Sequence, residues 1–184
     1  MTTKTVLITG ASSGIGLDVA RGFLERGSNI VMNARNSEKL ANAAQKLGDE
    51  KRIAIVPGDI GNKETGEKLV RTAVERFDSA DVLVNNAGIF GAKPFLENTE
   101  EDIDKYIHIN LKGTYFVTQA VVRQMKKQGG GSIVNIGTVL ITHSMASLPA
   151  SAALITKGGV HALTTSLASE LAVDNIQVNA VAPG

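Results

Sequence analysis

The sequence of 184 residues contains no cysteine and no tryptophan, and it has only two tyrosines and five phenylalanines. Without cysteine the chain has no disulfide, no thiolate nucleophile and no cysteine metal site, and this composition fits a reducing compartment. With so few aromatic residues, a surface that stacks nucleic-acid bases is not expected. These absences exclude thiol chemistry and argue against nucleic-acid binding.

The sequence also lacks an excess of charge of either sign. Nineteen basic and eighteen acidic residues give a formal net charge of +1, which offers no attraction to nucleic acid or to an anionic membrane surface. The apolar runs are too short to span a bilayer, and no secretory signal is predicted ahead of the first strand. We therefore expect a cytoplasmic protein with no nucleic-acid partner, no membrane partner and no bound metal.

The sequence does contain short β-branched runs that alternate with longer amphipathic segments. The runs are mostly apolar, as in strands of a parallel sheet that is buried on both faces. The predicted strands are residues 5–9, 29–33, 52–56, 82–85, 132–136 and 176–181, and the predicted helices are residues 14–26, 37–47, 63–77, 99–128 and 151–173. Regular β–α alternation predicts a doubly wound parallel sheet, the three-layer α/β/α Rossmann fold, as a single domain over residues 1–184.

Local signals refine two of the predicted helices. The first carries an apolar stripe that predicts its buried face; the stripe comprises Ile15, Val19, Ala20, Phe23 and Leu24. The fourth begins with Thr-Glu-Glu-Asp at residues 99–102, which is typical of a capped, acid-rich helix start. Three glycines at residues 129–131 are expected to end that helix.

The first predicted strand leads through a glycine-rich turn, TGASSGIG at residues 9–16, into the first predicted helix. This order of strand, turn and helix is the context that a dinucleotide site requires. Gly10 permits a tight turn, and Gly14 and Gly16 keep side chains away from a pyrophosphate. The helix start adds free N–H groups and the positive end of its dipole, and two serine hydroxyls can donate as well. The alternative is a glycine-rich connection that binds no ligand.

Four stretches resemble signatures of the short-chain dehydrogenase/reductase family. They are TGASSGIG at 9–16, GDI at 58–60, NNAG at 85–88 and VNAVAPG at 178–184, in the family's order along nearly the whole chain. The resemblance implies an NAD(P)-dependent oxidoreductase that transfers a hydride between its cofactor and a carbonyl or alcohol substrate. The candidate cofactor-binding residues are Gly10, Ser12, Ser13, Gly14, Ile15, Gly16, Arg35, Asp59, Ile60, Asn86, Ala87, Gly88, Lys157, Pro183 and Gly184.

The end of the second predicted strand bears on the choice of cofactor. In NAD-preferring proteins a carboxylate at this point accepts hydrogen bonds from the ribose hydroxyls. Residues 32–36 read MNARN and contain no acid. Arg35 can instead pair in a bidentate manner with a 2′-phosphate, so we favour NADP(H) over NAD(H). The alternative is an ordinary solvated arginine.

By resemblance, the family's chemistry uses four side chains: a Tyr that transfers the substrate proton, a Lys four residues later, a Ser after the fifth strand, and an Asn on the preceding long helix. Three of these positions have matches here. Asn110 corresponds to the helix Asn, Thr138 stands at the Ser position with a hydroxyl that can donate the same bond, and Lys157 corresponds to the Lys. We predict that these three are the catalytic residues.

The fourth position, four residues before Lys157, is Ala153, which has no proton to give. The two tyrosines, Tyr106 and Tyr115, lie on the earlier predicted helix. His143, in the loop after the fifth strand, has an unperturbed pKa in a suitable range for an acid. The alternatives for His143 are a catalytic acid and an ordinary surface residue. Ser144, Ser147 and Ser151 are weak acids unless activated, and Lys157 is a poor donor unless desolvation lowers its pKa.

The long helices of residues 99–128 and 151–173 carry more apolar and small residues than one sheet face requires. In the family such helices pair between subunits, so we expect a homo-oligomer, a dimer or tetramer, with isologous contacts. The residues that predict this contact are Val117, Val121, Val122, Ala152, Ala162, Leu163 and Leu167. The alternative is that they cover the core of a monomer.

The resemblance also implies a family tail after residue 184, with helices that cover the substrate and one more strand. We therefore expect the sixth strand to be an open sheet edge in this chain. Two functions remain: an NADP(H)-dependent oxidoreductase, supported by Asn110, Thr138 and Lys157, and a dinucleotide-binding sensor or inactive subunit, supported by Ala153.

Overall fold

Six parallel strands form one sheet in the order β3-β2-β1-β4-β5-β6. The computed structural model describes residues 3–184, so Met1 and Thr2, ahead of the first strand, lie outside the described residues. The strands are β1 Thr5–Thr9, β2 Asn29–Ala34, β3 Ile53–Pro57, β4 Val82–Asn85, β5 Gly131–Ile136 and β6 Ile176–Val181. The predicted parallel sheet is confirmed, and the strand order reverses direction between β1 and β4, where doubly wound folds bind ligands.

Helices cover both faces of the sheet, as the alternation predicted. They are α1 Gly14–Glu25, α2 Ser37–Leu47, α3 Lys63–Phe77, α4 Glu100–Tyr106, α5 Thr114–Gln128 and α6 Ser151–Glu170. Successive side chains of a strand point to opposite faces, so Val6 and Ile8 pack in a core with α1 and α2, whereas Leu7 packs in a second core with α3 and α5. The Rossmann fold with three layers is therefore confirmed.

The predicted helix of residues 99–128 contains an interruption that the sequence did not indicate. After α4, residues Ile107–Gly113 form a π-helical segment, and α5 follows directly. The capped start is confirmed, because Thr99 and Asp102 form a capping box. Gly129 ends α5 with φ 86°. Gly131, by contrast, belongs to β5 and not to the helix end.

The predicted buried face of α1 was partly wrong. The buried residues are Gly16, Ala20 and Leu24, whereas Ile15 is 49% exposed. The buried face of α1 therefore includes Gly16, which packs against the backbone of Gly10 in the preceding turn, and excludes Ile15. The last predicted helix is also shorter than expected, since α6 ends at Glu170 and a 3-10 turn follows at Ala172–Asp174.

The residues that predicted an oligomer divide into two groups. Val117 and Val121 are buried in this chain's own core, and Ala152 is also buried, so for these three the prediction of a surplus apolar surface was wrong. The side chains of Val117 and Val121 pack in the core between the sheet and α3. The other four, Val122, Ala162, Leu163 and Leu167, are half-buried or exposed.

The sixth strand lies at an edge of the sheet, as expected, and its last three residues are exposed. Every helix within residues 3–184 is too short or too polar to cross a lipid bilayer.

Candidate active site

The glycine-rich turn after β1 is built around two close backbone approaches. The Ala11 N–H donates to the Asn33 carbonyl oxygen at 2.8 Å, which fixes the turn against β2. Gly10 has φ +66°, and a Cβ atom there would lie 2.8 Å from the Ala87 Cα. A Cβ atom at Gly16 would lie 2.4 Å from the Gly10 carbonyl oxygen. Glycine is therefore required at both positions by contact with backbone.

The start of α1 leaves its N–H groups available to a ligand. The first turn of a helix has no intrahelical partners for these groups, and the Ser13 side chain makes no capping hydrogen bond. Gly14 has φ +53°, and a Cβ atom there would point into open space. A bare turn, free donors and the positive end of a helix dipole together suit a pyrophosphate.

The NNAG stretch clamps the end of β4 to the end of β1. The Asn86 side chain donates to the Thr9 and Gly10 carbonyl oxygens, each at 3.1 Å. The N–H groups of Asn86 and Ala87 both donate to the Thr9 hydroxyl oxygen at 3.0 Å. This network joins the glycine-rich turn to the segment after β4 at the point where the strand order reverses.

A cleft of about 450 Å³ opens above these strand ends. It brings together ten of the predicted cofactor residues: Gly10, Ser12, Ser13, Ile15, Arg35, Asp59, Ile60, Asn86, Ala87 and Gly88. Sequence reasoning did not select six further lining residues: Asn33, Ala34, Asn36, Gly58, Ile89 and Ile109. The cleft runs over the bare turn and the free end of α1, so its shape and its donors fit an extended dinucleotide.

Five predicted cofactor residues do not line this cleft. Gly16 lies beneath the turn and Gly14 faces open space. Lys157 lies just beyond Gly88. Pro183 and Gly184 lie beside Val139, after the end of β5, because the Val139 N–H donates to the Pro183 carbonyl oxygen at 3.3 Å.

One end of the cleft is shaped by side chains that cross-link the loops. The buried Asn33 amide donates to the carbonyl oxygens of Val56 at 2.9 Å and Gly58 at 3.1 Å, so it fixes the loop after β3. Asp59 accepts from the Gly61 N–H at 2.9 Å and lies 3.6 Å from the His108 Nε2. The sequence did not select Asn33, although a polar residue at the end of a buried strand is a signal that could have identified it.

Arg35 is exposed on the rim of the cleft. Its neighbour Asn36 caps α2 by accepting from the Lys39 N–H at 2.8 Å. No acidic residue stands between Asn33 and Asn36. The rim therefore presents a guanidinium where an NAD-preferring site presents a carboxylate.

Lys157 lies just beyond the other end of the cleft, next to Gly88. Its Nζ donates to the Ile136 carbonyl oxygen at 2.6 Å, and a Cβ atom on the cleft residue Gly88 would lie 3.5 Å from this nitrogen. Burial lowers the pKa of the Lys157 ammonium below its usual value, because desolvation disfavours the charged form. Within residues 3–184 no carboxylate forms an ion pair with it.

Asn110 is buried on the π-helical segment and shares the Gly88 end of the cleft. Its side chain accepts from the Ile89 N–H at 2.8 Å and donates to the Ile89 carbonyl oxygen at 3.0 Å. It also donates to the hydroxyl oxygen of Thr156 at 3.0 Å. Thr156 immediately precedes Lys157 in the sequence. Asn110 therefore joins the segment after β4 to α6.

Thr138 follows the end of β5, two residues after the carbonyl that holds Lys157. Its hydroxyl oxygen accepts from the Leu140 N–H at 3.2 Å. This bond uses an oxygen lone pair and leaves the hydroxyl proton free to be donated.

Ala153 is 0% exposed, so the position four residues before Lys157 is enclosed and carries no polar group. Tyr106 donates its hydroxyl to the Gly91 carbonyl oxygen at 3.4 Å, and Tyr115 is 48% exposed on α5. His143 is exposed, with its Nδ1 2.9 Å from the hydroxyl of the adjacent Thr142. Within residues 3–184, no hydrogen bond joins Tyr106, Tyr115 or His143 to Lys157.

Comparison with known proteins agrees with this geometry. A family model described as short chain dehydrogenase matches residues 4–184. The L-rhamnose-1-dehydrogenase of Scheffersomyces stipitis is 38% identical over 191 residues, which cover 98% of this chain and 72% of that protein.

Two solved structures are also similar. The L-sorbose reductase of Gluconobacter frateurii, complexed with NADPH and L-sorbose, has a TM-score of 0.92 and 32% identity, over 100% of this chain and 70% of that one. A 3-ketoacyl-ACP reductase of Sinorhizobium meliloti has a TM-score of 0.92 and 31% identity, over 98% and 71%. With its sheet, its cleft and its relatives in agreement, this chain belongs to the short chain dehydrogenase family of NAD(P)-dependent oxidoreductases.

Proposed function

We propose that this protein is an NADP(H)-dependent oxidoreductase that interconverts a carbonyl and an alcohol. The observation that carries the proposal is the continuous cleft, which runs from the exposed Arg35 over the bare glycine turn to Gly88, with Lys157 and Asn110 beyond it. The cofactor supplies or accepts the hydride when bound. The protein binds and orients the cofactor and the substrate, and it exchanges the proton with the substrate oxygen.

The preference for NADP(H) is supported by charge at the rim. Arg35 is a cation on the cleft wall, and the stretch from Asn33 to Asn36 has no acid to accept bonds from a free ribose. A guanidinium pairs with a phosphate through two parallel hydrogen bonds. The related L-sorbose reductase was solved with NADPH.

Roles for the three polar groups follow from their contacts. Lys157, already held by the Ile136 carbonyl, has further N–H groups for the nicotinamide ribose. Thr138 keeps a free hydroxyl proton for the substrate oxygen. Asn110 positions the segment after β4 against α6 through its bonds to Ile89 and Thr156.

The first experiment separates cofactor binding from catalysis. Purified protein is titrated with NADPH and with NADH by fluorescence, and NADPH oxidation is then followed against a panel of ketones, aldehydes and keto sugars. We expect saturable binding of NADPH in preference to NADH, and turnover of at least one carbonyl. Absence of binding to either cofactor would refute the proposal.

A dinucleotide sensor or inactive subunit is the second candidate, because Ala153 cannot transfer a proton. It predicts tight NADPH binding with no turnover of any carbonyl. The named relatives are dehydrogenases and reductases, which favours the enzyme. The same titration and panel distinguish the two functions.

We also propose that the protein forms a homo-oligomer in the cytoplasm. A groove between α5 and α6 is lined by Tyr115, Val122, Leu163 and Leu167 among others, and a second copy of the same helices would cover it by an isologous contact. Sedimentation velocity at micromolar concentration tests this: a dimer or tetramer is expected, and a monomer would contradict it.

The cytoplasmic location is supported by the absence of cysteine, which fits a reducing compartment.

A further inference from the structure

The proposed reaction needs a proton donor at the Lys157 end of the cleft. Reduction of a carbonyl adds a hydride to carbon and a proton to oxygen, and Ala153 carries no group that can give that proton. From the geometry we propose that Lys157 itself is the general acid, with its ammonium in place of a tyrosine hydroxyl. This inference rests on the proposed oxidoreductase function.

The contacts of Lys157 leave it free to donate. One N–H of its ammonium is used by the Ile136 carbonyl oxygen, at 2.6 Å, and within residues 3–184 the other two have no hydrogen-bond partner. Nζ lies beside Gly88, whose missing side chain keeps the approach from the cleft open. The ammonium is held by the carbonyl of Ile136, the last residue of β5, and Thr138 follows two residues later in the chain.

Other acids fit the site less well. A threonine hydroxyl donates a hydrogen bond but does not ionise in the useful range, so Thr138 can orient the substrate without supplying its proton. Tyr106 is directed to Gly91, and His143 to its neighbour Thr142. Of the charged groups on elements near α6, Asp102 forms an ion pair with Lys93, and His108 lies 3.6 Å from Asp59. Glu100, Glu101, Asp104, Lys105 and Lys112 also lie on α4 and the π-helical segment, and none of them forms an ion pair with Lys157.

The step balances without a further reactant. The substrate carbonyl carbon gains the hydride that the nicotinamide cofactor supplies, while its oxygen accepts a proton from Lys157. One N–H bond of the ammonium breaks, one O–H bond forms on the product alcohol, and a neutral amine remains. The amine recovers its proton from water, so each cycle consumes one hydride and one proton.

The surroundings of Lys157 favour this role. Burial without a carboxylate partner lowers the pKa of the Lys157 ammonium. An ammonium is normally a poor proton donor at neutral pH, and a lowered pKa makes it a better one. An arginine at the same position would keep the positive charge and the hydrogen bonds, but its pKa above about 12 prevents proton release. Charge and acidity can therefore be separated by one substitution.

The test compares Lys157→Arg with Lys157→Met, and uses Lys127→Arg, an exposed lysine at the end of α5, as the matched control. NADPH affinity is measured by fluorescence, and kcat by carbonyl reduction. For Lys157→Arg we expect retained NADPH binding and a fall in kcat on the order of a hundred- to ten-thousand-fold. Lys157→Met is expected to lose both, and Lys127→Arg neither.

A second measurement uses the unmodified protein and gives the pKa of the Lys157 amine without depending on activity. Trace acetylation between about pH 6 and pH 11, quantified by mass spectrometry of the peptide that contains Lys157, gives the pKa of its amine. An acid must be protonated to act, so kcat/KM for the carbonyl, measured at the same NADPH concentration as the acetylation, should be level below this pKa and fall tenfold per pH unit above it. The amine pKa and the kinetic pKa should agree within about one unit.

Several outcomes would overturn the inference. One is a Lys157→Arg variant with the kcat of the unmodified protein. Another is a Lys157 amine with an ordinary lysine pKa, or a kinetic pKa that differs from it by more than about one unit. NADPH binding with no turnover of any carbonyl by the unmodified protein would instead refute the proposed function, so the two failures are distinguishable. If Lys157→Arg loses its fold, the acetylation and kinetic comparison decides.

Discussion

Gly16 and Gly10 are in direct contact: a Cβ atom at Gly16 would lie 2.4 Å from the Gly10 carbonyl oxygen and 2.5 Å from the Asn86 Nδ2. The turn is therefore held from below by a residue that does not itself line the cleft. Backbone atoms cannot move aside as the end of a flexible side chain can, so a methyl group on residue 16 must displace the glycine-rich turn.

The first prediction concerns this contact. Gly16→Ala should destabilise the protein by about 1–3 kcal/mol, as overpacking does, and should weaken NADPH binding. The matched control is Gly22→Ala in the same helix, where a Cβ atom meets only the Arg26 guanidinium at 3.3 Å. That flexible side chain can move, so Gly22→Ala should not lower stability. Urea unfolding and NADPH titration measure both effects, and equal behaviour of the two variants would contradict the prediction.

The second prediction concerns Arg35 and the choice of cofactor. Arg35→Ala should raise the Kd for NADPH by about tenfold or more, because a charge-assisted pair with the 2′-phosphate is lost. The Kd for NADH, which lacks that phosphate, should stay unchanged. Arg21→Ala, at an exposed arginine of α1 that pairs with Asp18, is the control. An equal loss of affinity for both cofactors would show that Arg35 has no role in selectivity.

The third prediction concerns the clamp between β1 and β4. The Thr9 hydroxyl oxygen accepts from the N–H groups of Asn86 and Ala87, both at 3.0 Å. Thr9→Val keeps the shape of the side chain but removes this acceptor, so unfolding free energy should fall by about 2 kcal/mol. Thr9→Ser retains the oxygen and should lose less. Chemical denaturation of the two variants checks the order, which would be reversed if side-chain packing dominated.

The fourth prediction concerns stability in acid. The Lys93 ammonium, then the Thr99 backbone and hydroxyl, hold the pKa of Asp102 at about 2, below its ordinary value of 3.8. A carboxyl with a lowered pKa in the folded state contributes stability above the unfolded pKa, and this contribution is lost as pH falls from 3.8 through about 2. Lys93→Met should raise the Asp102 pKa and flatten the dependence of unfolding free energy on pH in this window.

Carboxyl NMR chemical shifts of Asp102 measure its pKa directly. Because the carboxylate is solvent-accessible, its contribution to the unfolding free energy is screened and small. The change in the Asp102 pKa is therefore a more sensitive test than the change in stability. Lys127→Met, far from Asp102 on α5, should leave the titration unchanged. An Asp102 pKa that is the same with and without Lys93 would contradict the assignment of cause.

The sequence predicted the β–α alternation because hydrophobic runs and helical stripes are local patterns. It also predicted the glycine turn, since the residues from Gly10 to Gly16 act within one strand–turn–helix unit. The Thr99 cap was predictable for the same reason, as its partner Asp102 lies three residues away. The bounds of β2, β3 and β5 differ by one residue from the predicted bounds, because pairing with a neighbouring strand decides where a strand starts and ends.

Other features depended on contacts between distant residues. The π-helical segment around Asn110 carries no local signal, and its side chain finds partners in Ile89 and Thr156 from separate elements. Asn33 reaches the loop after β3 only because the sheet places β2 beside β3. The burial of Val117 and Val121 likewise depends on the face of α5 that meets the core.

The sequence alone determined the parallel fold, the glycine-rich turn and the alanine four residues before Lys157, because residue identity and short-range spacing carry these features. Tertiary structure decided that Ala153 is enclosed, and that Lys157 is buried without a carboxylate partner beside Gly88. Burial and desolvation are properties of packing among elements far apart in the chain. No pattern in the sequence could therefore show the environment in which the Lys157 ammonium holds its proton.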